Sequence, residues 1–361
     1  MSAAWLMQEG GWDFNAWRAR DNWQILYSQQ SGEADILRLT TRRELRTGWE
    51  AHARLWKFLT EEILGSVSDR PPTAPDCETL ETLPSRSHLA RLVRYRVTET
   101  EWVRAWLLEP AERNGLNPAV VVAHPATPDG KCAASGMSDD ADLAWGVELA
   151  ERGFVALVPD AIGFGDRQPG RPGAMYSSAD DFFAVHRYGS AAAKMAFDIS
   201  RAVDVLSCAP GVDAGKICAL GHGMGGAIAL FAAAKDDRIA ATVTSCGFNL
   251  LRADPMAYRW WRSSCFMPRL GYYERFIDQT PIDFHHWIGL VAPRPLLICA
   301  ALRDAQFPRA EALQHAAHRA REVYRLYDER LSLKTYCFQG EHGFPRRARL
   351  TAYRFLEESL R

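Results

Sequence analysis

Residues 216–226 read KICALGHGMGG and run directly into AIALFAAA. An apolar, partly β-branched run, a tight glycine turn and an alanine-rich continuation describe a strand, a sharp turn and the start of a helix. Gly221-x-Gly223-x-x-Gly226 satisfies the dinucleotide fingerprint, in which glycines let a pyrophosphate approach a helix N-terminus. That fingerprint needs an acidic residue about 20 positions further on, at the end of the next strand. The next strand here, IAATVTSCGF, ends in Ser245 and Cys246, so no carboxylate is offered to a ribose.

A second frame fits the same turn. Gly221-His222-Gly223-Met224-Gly225 has the spacing of a G-x-S-x-G nucleophile elbow, with glycine where the serine belongs. The outer glycines suit the close packing of helix on strand, and the central position is strained in a way glycine tolerates. An ordinary glycine-rich turn would look alike, so the remainder of the chain has to decide.

Composition narrows the classes. The chain has 361 residues, 47% hydrophobic side chains and a net charge of -1, enough for one large domain or one domain with an appendage. Interleaved acidic and basic residues give no field that would gather phosphates, so nucleic acid is not expected. The N-terminus lacks a basic segment followed by an apolar core, and no apolar run reaches bilayer length; a cytoplasmic protein without membrane contact is expected. Eight cysteines occur without C-x-x-C pairs, three of them (Cys218, Cys299, Cys337) in apolar strands, which reads as buried free thiols. The ten histidines lack ligand spacing apart from His285-His286, so no metal and no cofactor is expected.

Three regions follow. Residues 1–76 place Leu45, Trp49, His52, Leu55, Trp56, Leu59 and Ile63 at helical spacing and end in the breaker run SDRPPTAPDC, a helical N-terminal appendage or lid. Residues 77–361 form the main domain. Within it, residues 89–110 alternate apolar and polar side chains as a half-exposed hairpin does. Beyond them, buried-strand patterns alternate with helices, which predicts an α/β fold with a doubly wound, mainly parallel sheet. An irregular insertion at about 249–287, rich in aromatics, reads as a cap, joined by the loop Met175–Tyr188.

In such sheets the site lies at the carboxyl ends of the strands. Asp304 follows the strand PLLICAAL, and His342 follows LKTYCFQ, so elbow, acid and base come in the order that an elbow-bearing hydrolase uses. Alone, Asp304 would read as a loop cap and His342 as a surface or core histidine; their joint placement favours a dyad.

On these motifs the chain resembles the α/β-hydrolase superfamily, in its dienelactone-hydrolase and acetyl-xylan-esterase-like branch. The stretches VVVAHPA, LAERGFVALVPDAIGFGDRQPG, AFDISRAVDVLSCAPGVDAGKICALGHGMGG, APRPLLICAALRDAQFP and GEHGF carry the likeness, from about residue 90 to the end. The resemblance implies a serine esterase with His342 as base, Asp304 as its orienting acid, and the backbone N–H groups of Met224 and Ala126 as oxyanion donors. The chain departs from that pattern twice. Gly223 occupies the nucleophile position, and His124-Pro125 replaces the usual His-Gly, removing one amide.

Three functions compete. The chain is an enzyme that uses the dyad without a nucleophile, as a lyase, cyclase, isomerase or direct-water hydrolase; or a serine esterase with its nucleophile deleted; or a ligand-binding protein on a disused scaffold. Retention of both Asp304 and His342 argues against disuse, since burying them without a task costs stability. Glycine rather than alanine argues against deliberate deletion. Ser245 and Cys246 are candidate substitute nucleophiles, with core packing the competing role for Cys246. His222, His124, Trp260, Trp261 and Tyr273 are candidate substrate contacts, and the aromatic insertion favours a large apolar small molecule unless those rings fill the core. A homodimer is the one macromolecular assembly considered.

Overall fold

The computed structural model describes residues 42–67, 75–112, 115–168, 189–262 and 266–361. Met175–Tyr188, expected to join the cap, lies outside them, as do all the residues before the first helix.

Nine strands form one sheet in the order β1-β2-β3-β5-β4-β6-β7-β8-β9. The edge is antiparallel: β1 (Cys77–Pro84), β2 (His88–Arg96) and β3 (Trp102–Pro110) form a meander, and β3 pairs antiparallel with β5 (Val155–Pro159). From β5 onward the pairing is parallel through β4 (Asn117–Ala123), β6 (Val212–His222), β7 (Ala241–Ser245), β8 (Leu296–Ala301) and β9 (Leu333–Phe338). This is the doubly wound, mainly parallel α/β sheet anticipated from the strand and helix alternation, with the antiparallel meander at one edge. The predicted hairpin at 89–110 corresponds to β2 and β3. Strand β1 was absent from the sequence reading: all eight of its residues are exposed, so neither face carries an apolar period.

The central parallel strands are buried on both faces, the edge strand β9 only in part, and each face has its own core. Along β6, Ile217 and Ala219 enter one cluster while Cys218 and Leu220 enter the other, the period of two that a pleated strand imposes. The first cluster is covered by α4 (Ala191–Cys208), α5 (Met224–Lys235), α7 (Phe284–Val291) and α8 (Ala310–Leu326). The second lies under α3 (Trp145–Ala150) and α9 (Arg346–Ser359), with α2 (Lys131–Ala134) beside α3. Helix α5 is almost wholly buried, which fits its composition of alanine, leucine, isoleucine and phenylalanine with no polar face.

The predicted N-terminal helix is α1 (Arg42–Leu64). Its Trp49, Trp56, Leu59, Ile63 and Leu64 belong to the first core cluster, and Trp287 Nε1 donates to Thr60 Oγ1 at 3.0 Å. It therefore docks on α7, α8 and the turn Pro268–Tyr273 of the insertion, as a layer of the core. The insertion holds the short α6 (Arg259–Arg262), two 3-10 turns and the start of α7. Among the described residues no helix is long and apolar enough to cross a membrane.

Candidate active site

The turn after β6 is an elbow. Gly223 has φ 57° and ψ -124°, outside the regions that L-residues prefer. A β-carbon on Gly221 would collide with the carbonyl of Gly225, and one on Gly225 with the carbonyl of Ala123 at the end of β4. The flanking glycines are thus required by backbone contact. At Gly223 the situation differs: an added β-carbon would meet only His342, at 3.3 Å from Nε2 and 3.8 Å from Cε1.

His342 and Asp304 reach this point from the ends of β9 and β8. Nδ1–H of His342 donates to Asp304 Oδ2 at 2.9 Å, while Asp304 Oδ1 accepts the N–H groups of Gln306 and Phe307 at 2.8 and 2.9 Å. Burial raises the Asp304 carboxyl, but the His342 bond and the two amides more than offset it, so its pKa is held below the usual carboxylate value. An ionised Asp304 can only accept, which fixes the proton on Nδ1 and leaves the Nε2 lone pair facing Gly223. Met224 opens α5, where a helix leaves its first N–H without an intrahelical acceptor. Its residue and Ala126 both line a cleft of about 580 Å³ that also contains Gly223 and His342.

The other candidates separate by position. His222 lines the cleft; its Nδ1 is 3.1 Å from Ser245 Oγ, and its ring stacks on Phe344 and lies 4.8 Å from that of His342. Burial, and then the neighbouring His342, lowers its pKa to about 3, so it stays neutral. Ser245 is fully buried, engaged by His222 and absent from the cleft lining. Cys246 lines a small pocket behind Asp304, its Sγ 3.7 Å from the Gly343 carbonyl, and burial together with the Asp304 charge pushes its thiol up to about 12. Neither residue is placed or ionised as a substitute nucleophile. Cys246, Asp304 and His342 bring three ligand-type atoms within 4.8 Å of one another. A metal held there would have to break the His342–Asp304 bond and deprotonate that thiol.

His124 is placed as a structural residue and not as a substrate contact. Nδ1–H donates to the Pro125 carbonyl at 2.7 Å and Nε2 accepts from the Ala161 N–H at 3.0 Å, which uses both ring nitrogens. Trp260, Trp261 and Tyr273 also depart from the expectation of substrate contact. Trp260 is buried against Phe266, Phe284 and Phe307, Trp261 and Tyr273 pack against the same core, and none lines the cleft. The rings fill the core because α7 and the insertion have their own apolar faces to cover. The ring of Phe307 lies 6.1 Å from that of His342 and 6.0 Å from that of Trp260. No described residue of α1 lines the cleft.

The cleft instead uses residues that the sequence reading passed over: Thr127, Asp142, Gln306, Gln339, Glu341 and Arg349. Two of these were legible by adjacency, since Gln306 and Glu341 sit in the same strand-exit loops as Asp304 and His342. Arg349 was not, because its role depends on a partner 201 positions away: Nε donates to Glu148 Oε2 at 2.9 Å and Nη2 to Glu148 Oε1 at 3.1 Å.

Residues 103–354 match the dienelactone hydrolase family. The chain belongs to that family. This dienelactone-hydrolase-family protein is 34% identical over 154 residues to carbohydrate esterase MZ0003 of an unknown prokaryotic organism, a match covering 39% of this chain and 34% of that protein. YtaP of Bacillus subtilis (strain 168), which carries the name of a hydrolase, is 27% identical over 189 residues, 51% of this chain and 60% of that one. The matches thus span from a third to three fifths of those relatives. Among solved structures, a promiscuous CE15 esterase from a marine bacterial metagenome superposes with a TM-score of 0.68 at 17% identity, covering 85% of this chain and 91% of that one. A glucuronoyl esterase from Solibacter usitatus gives 0.65 at 17% identity, covering 84% and 91%. At that identity the superpositions establish the fold alone. The family match and the superpositions together place this chain on the α/β-hydrolase fold.

Proposed function

We propose that this family member hydrolyses carboxylic esters by direct attack of water, with His342 as general base. The observation that carries the reading is the line from Asp304 through His342 to the space over Gly223: an ionised acceptor fixes the tautomer, and the basic Nε2 points where a serine oxygen would otherwise stand. A water bound there loses its proton to Nε2 as its oxygen adds to the ester carbonyl. The tetrahedral oxyanion is received by the N–H groups of Met224 and Ala126, and the imidazolium returns the proton to the leaving alcohol. The esterases and hydrolases among the relatives support ester chemistry, and they give the lyase, cyclase and isomerase alternatives no backing.

A second reading keeps the serine-esterase machinery and treats Gly223 as its lost nucleophile. It is favoured by the backbone of Gly223, which retains the positive φ of a turn that presents a side chain. In a serine hydrolase that loss costs roughly 10⁶ in kcat, while about 10³ to 10⁴ over water survives from binding and oxyanion stabilisation. The two readings part on one measurement: steady-state hydrolysis of a panel of 4-nitrophenyl esters by the unaltered protein and by His342→Ala. Turnover that disappears with His342 supports water attack; a rate equal in both proteins leaves only the lost-nucleophile reading.

A further inference from the structure

The charges lining the cleft are uneven. Arg349 is the one Lys or Arg among the described residues lining it, and its guanidinium is already committed. Nε and Nη2 donate to the two carboxylate oxygens of Glu148, Nη2 also reaches Asp142 Oδ1 at 3.2 Å, and Nη1 donates to the Phe344 carbonyl at 2.9 Å. One cation thus faces two carboxylates. Glu341, exposed beside His342, adds a further negative charge, and ionised Asp304 lies just behind the imidazole. The remaining polar side chains at the mouth, Gln306, Gln339 and Thr127, are neutral.

We infer that this cleft selects uncharged esters over esters carrying a carboxylate, and that Glu341 is the residue that sets the discrimination. The inference rests on the proposed ester hydrolysis and names its substrate class. An anionic acyl or alcohol group entering the cleft meets three carboxylates in excess of the single guanidinium and no uncommitted cation among the described lining residues. At separations of about 6–8 Å near a protein surface, with physiological screening, such an excess of charge disfavours the anion by roughly tenfold. An uncharged ester incurs no such repulsion and can hydrogen-bond to the two glutamine amides.

The test compares 4-nitrophenyl butyrate with 4-nitrophenyl hemisuccinate, which differ by one carboxylate on acyl chains of similar size. Expected is a kcat/KM about tenfold higher for the butyrate, a gap that narrows as NaCl rises from roughly 0.05 to 0.5 M. Glu341→Lys should raise the hemisuccinate rate relative to the butyrate rate by a further factor of about ten or more. Because the readout is a ratio within one protein, any effect of residue 341 on the adjacent base cancels. Equal rates for the two esters, or a ratio unmoved by Glu341→Lys, overturn the inference while leaving ester hydrolysis standing. If neither ester turns over, the proposed reaction fails and both remain intact ligands. Calorimetric dissociation constants for the two then decide the charge selection directly, equal constants overturning it.

Discussion

Nε2 of His342 lies 3.3 Å from the position a β-carbon on Gly223 would occupy. A serine there would carry its oxygen within reach of the imidazole by rotation about χ1, with the Met224 N–H already in place. Gly223→Ser is therefore expected to label with a fluorophosphonate probe and to show burst kinetics with an activated ester, whereas the unaltered protein does neither. Mass spectrometry of the intact protein reads the adduct. Labelling of the unaltered chain at Ser245 or Cys246 would show that the nucleophile has moved to the β7 exit.

In the proposed reaction Asp304 acts through His342, to which it is hydrogen-bonded. Asp304→Asn leaves a ring partner but lets the amide donate to Nδ1, which favours the tautomer with its proton on Nε2. Turnover by the Gly223→Ser protein should then fall by about 10³- to 10⁴-fold in kcat, with KM little changed. A drop confined to KM would assign Asp304 to substrate binding.

The flanking glycines make a prediction about stability. Gly225→Ala forces a methyl against the Ala123 carbonyl, where backbone must move, and should cost at least ~2 kcal/mol of unfolding free energy. Gly223→Ala meets only a side chain and should cost ~1–2 kcal/mol, from backbone strain at positive φ. Urea denaturation of the pair gives the difference; similar costs would mean that the elbow relaxes as a unit.

Buried neutral histidines govern the response to acid. His222 and His286 have pKa values lowered to about 3, chiefly by burial, while in the unfolded chain each titrates near 6.5. Between those values the unfolded state binds the extra protons, so stability is full above about pH 6.5 and falls as the pH drops toward 3. The slope is about 1.4 kcal/mol per pH unit for each ring, or roughly 4 kcal/mol for the two by pH 5. Melting temperatures measured from pH 7 to 5 should fall accordingly, and His222→Gln should make the fall shallower. A flat profile would contradict the buried, neutral assignment.

Much of this was readable from the chain because the central parallel strands are buried on both faces and their apolar runs stand out. Their exits then locate Asp304 and His342 without any structure. Strand β1 escaped because exposure on both faces removes the pattern that reveals a strand. The aromatic residues of the insertion were legible as aromatic, but sequence density alone does not separate Trp260 in a core from Trp260 in a pocket; the apolar faces of α5, α7 and α8 decide that. His124 sits two residues before Ala126 in sequence, yet its two hydrogen bonds, one of them to Ala161, make it a brace. Arg349 depended on Glu148, and a long-range pair of that kind leaves no local signal.

Asp304 takes two of its hydrogen bonds from the amides of its own loop, at Gln306 and Phe307, and its third from His342, so the proposed acid and base are assembled without any contribution from residue 223. In evolutionary terms the chemistry is uncoupled from the scaffold. A glycine codon of the form GGC becomes a serine codon, AGC, by one base change, and the surrounding protein has nothing to relearn. Where the codon at position 223 is GGC or GGT, the acyl-enzyme geometry lies one base change away, with the cleft and its charges inherited intact.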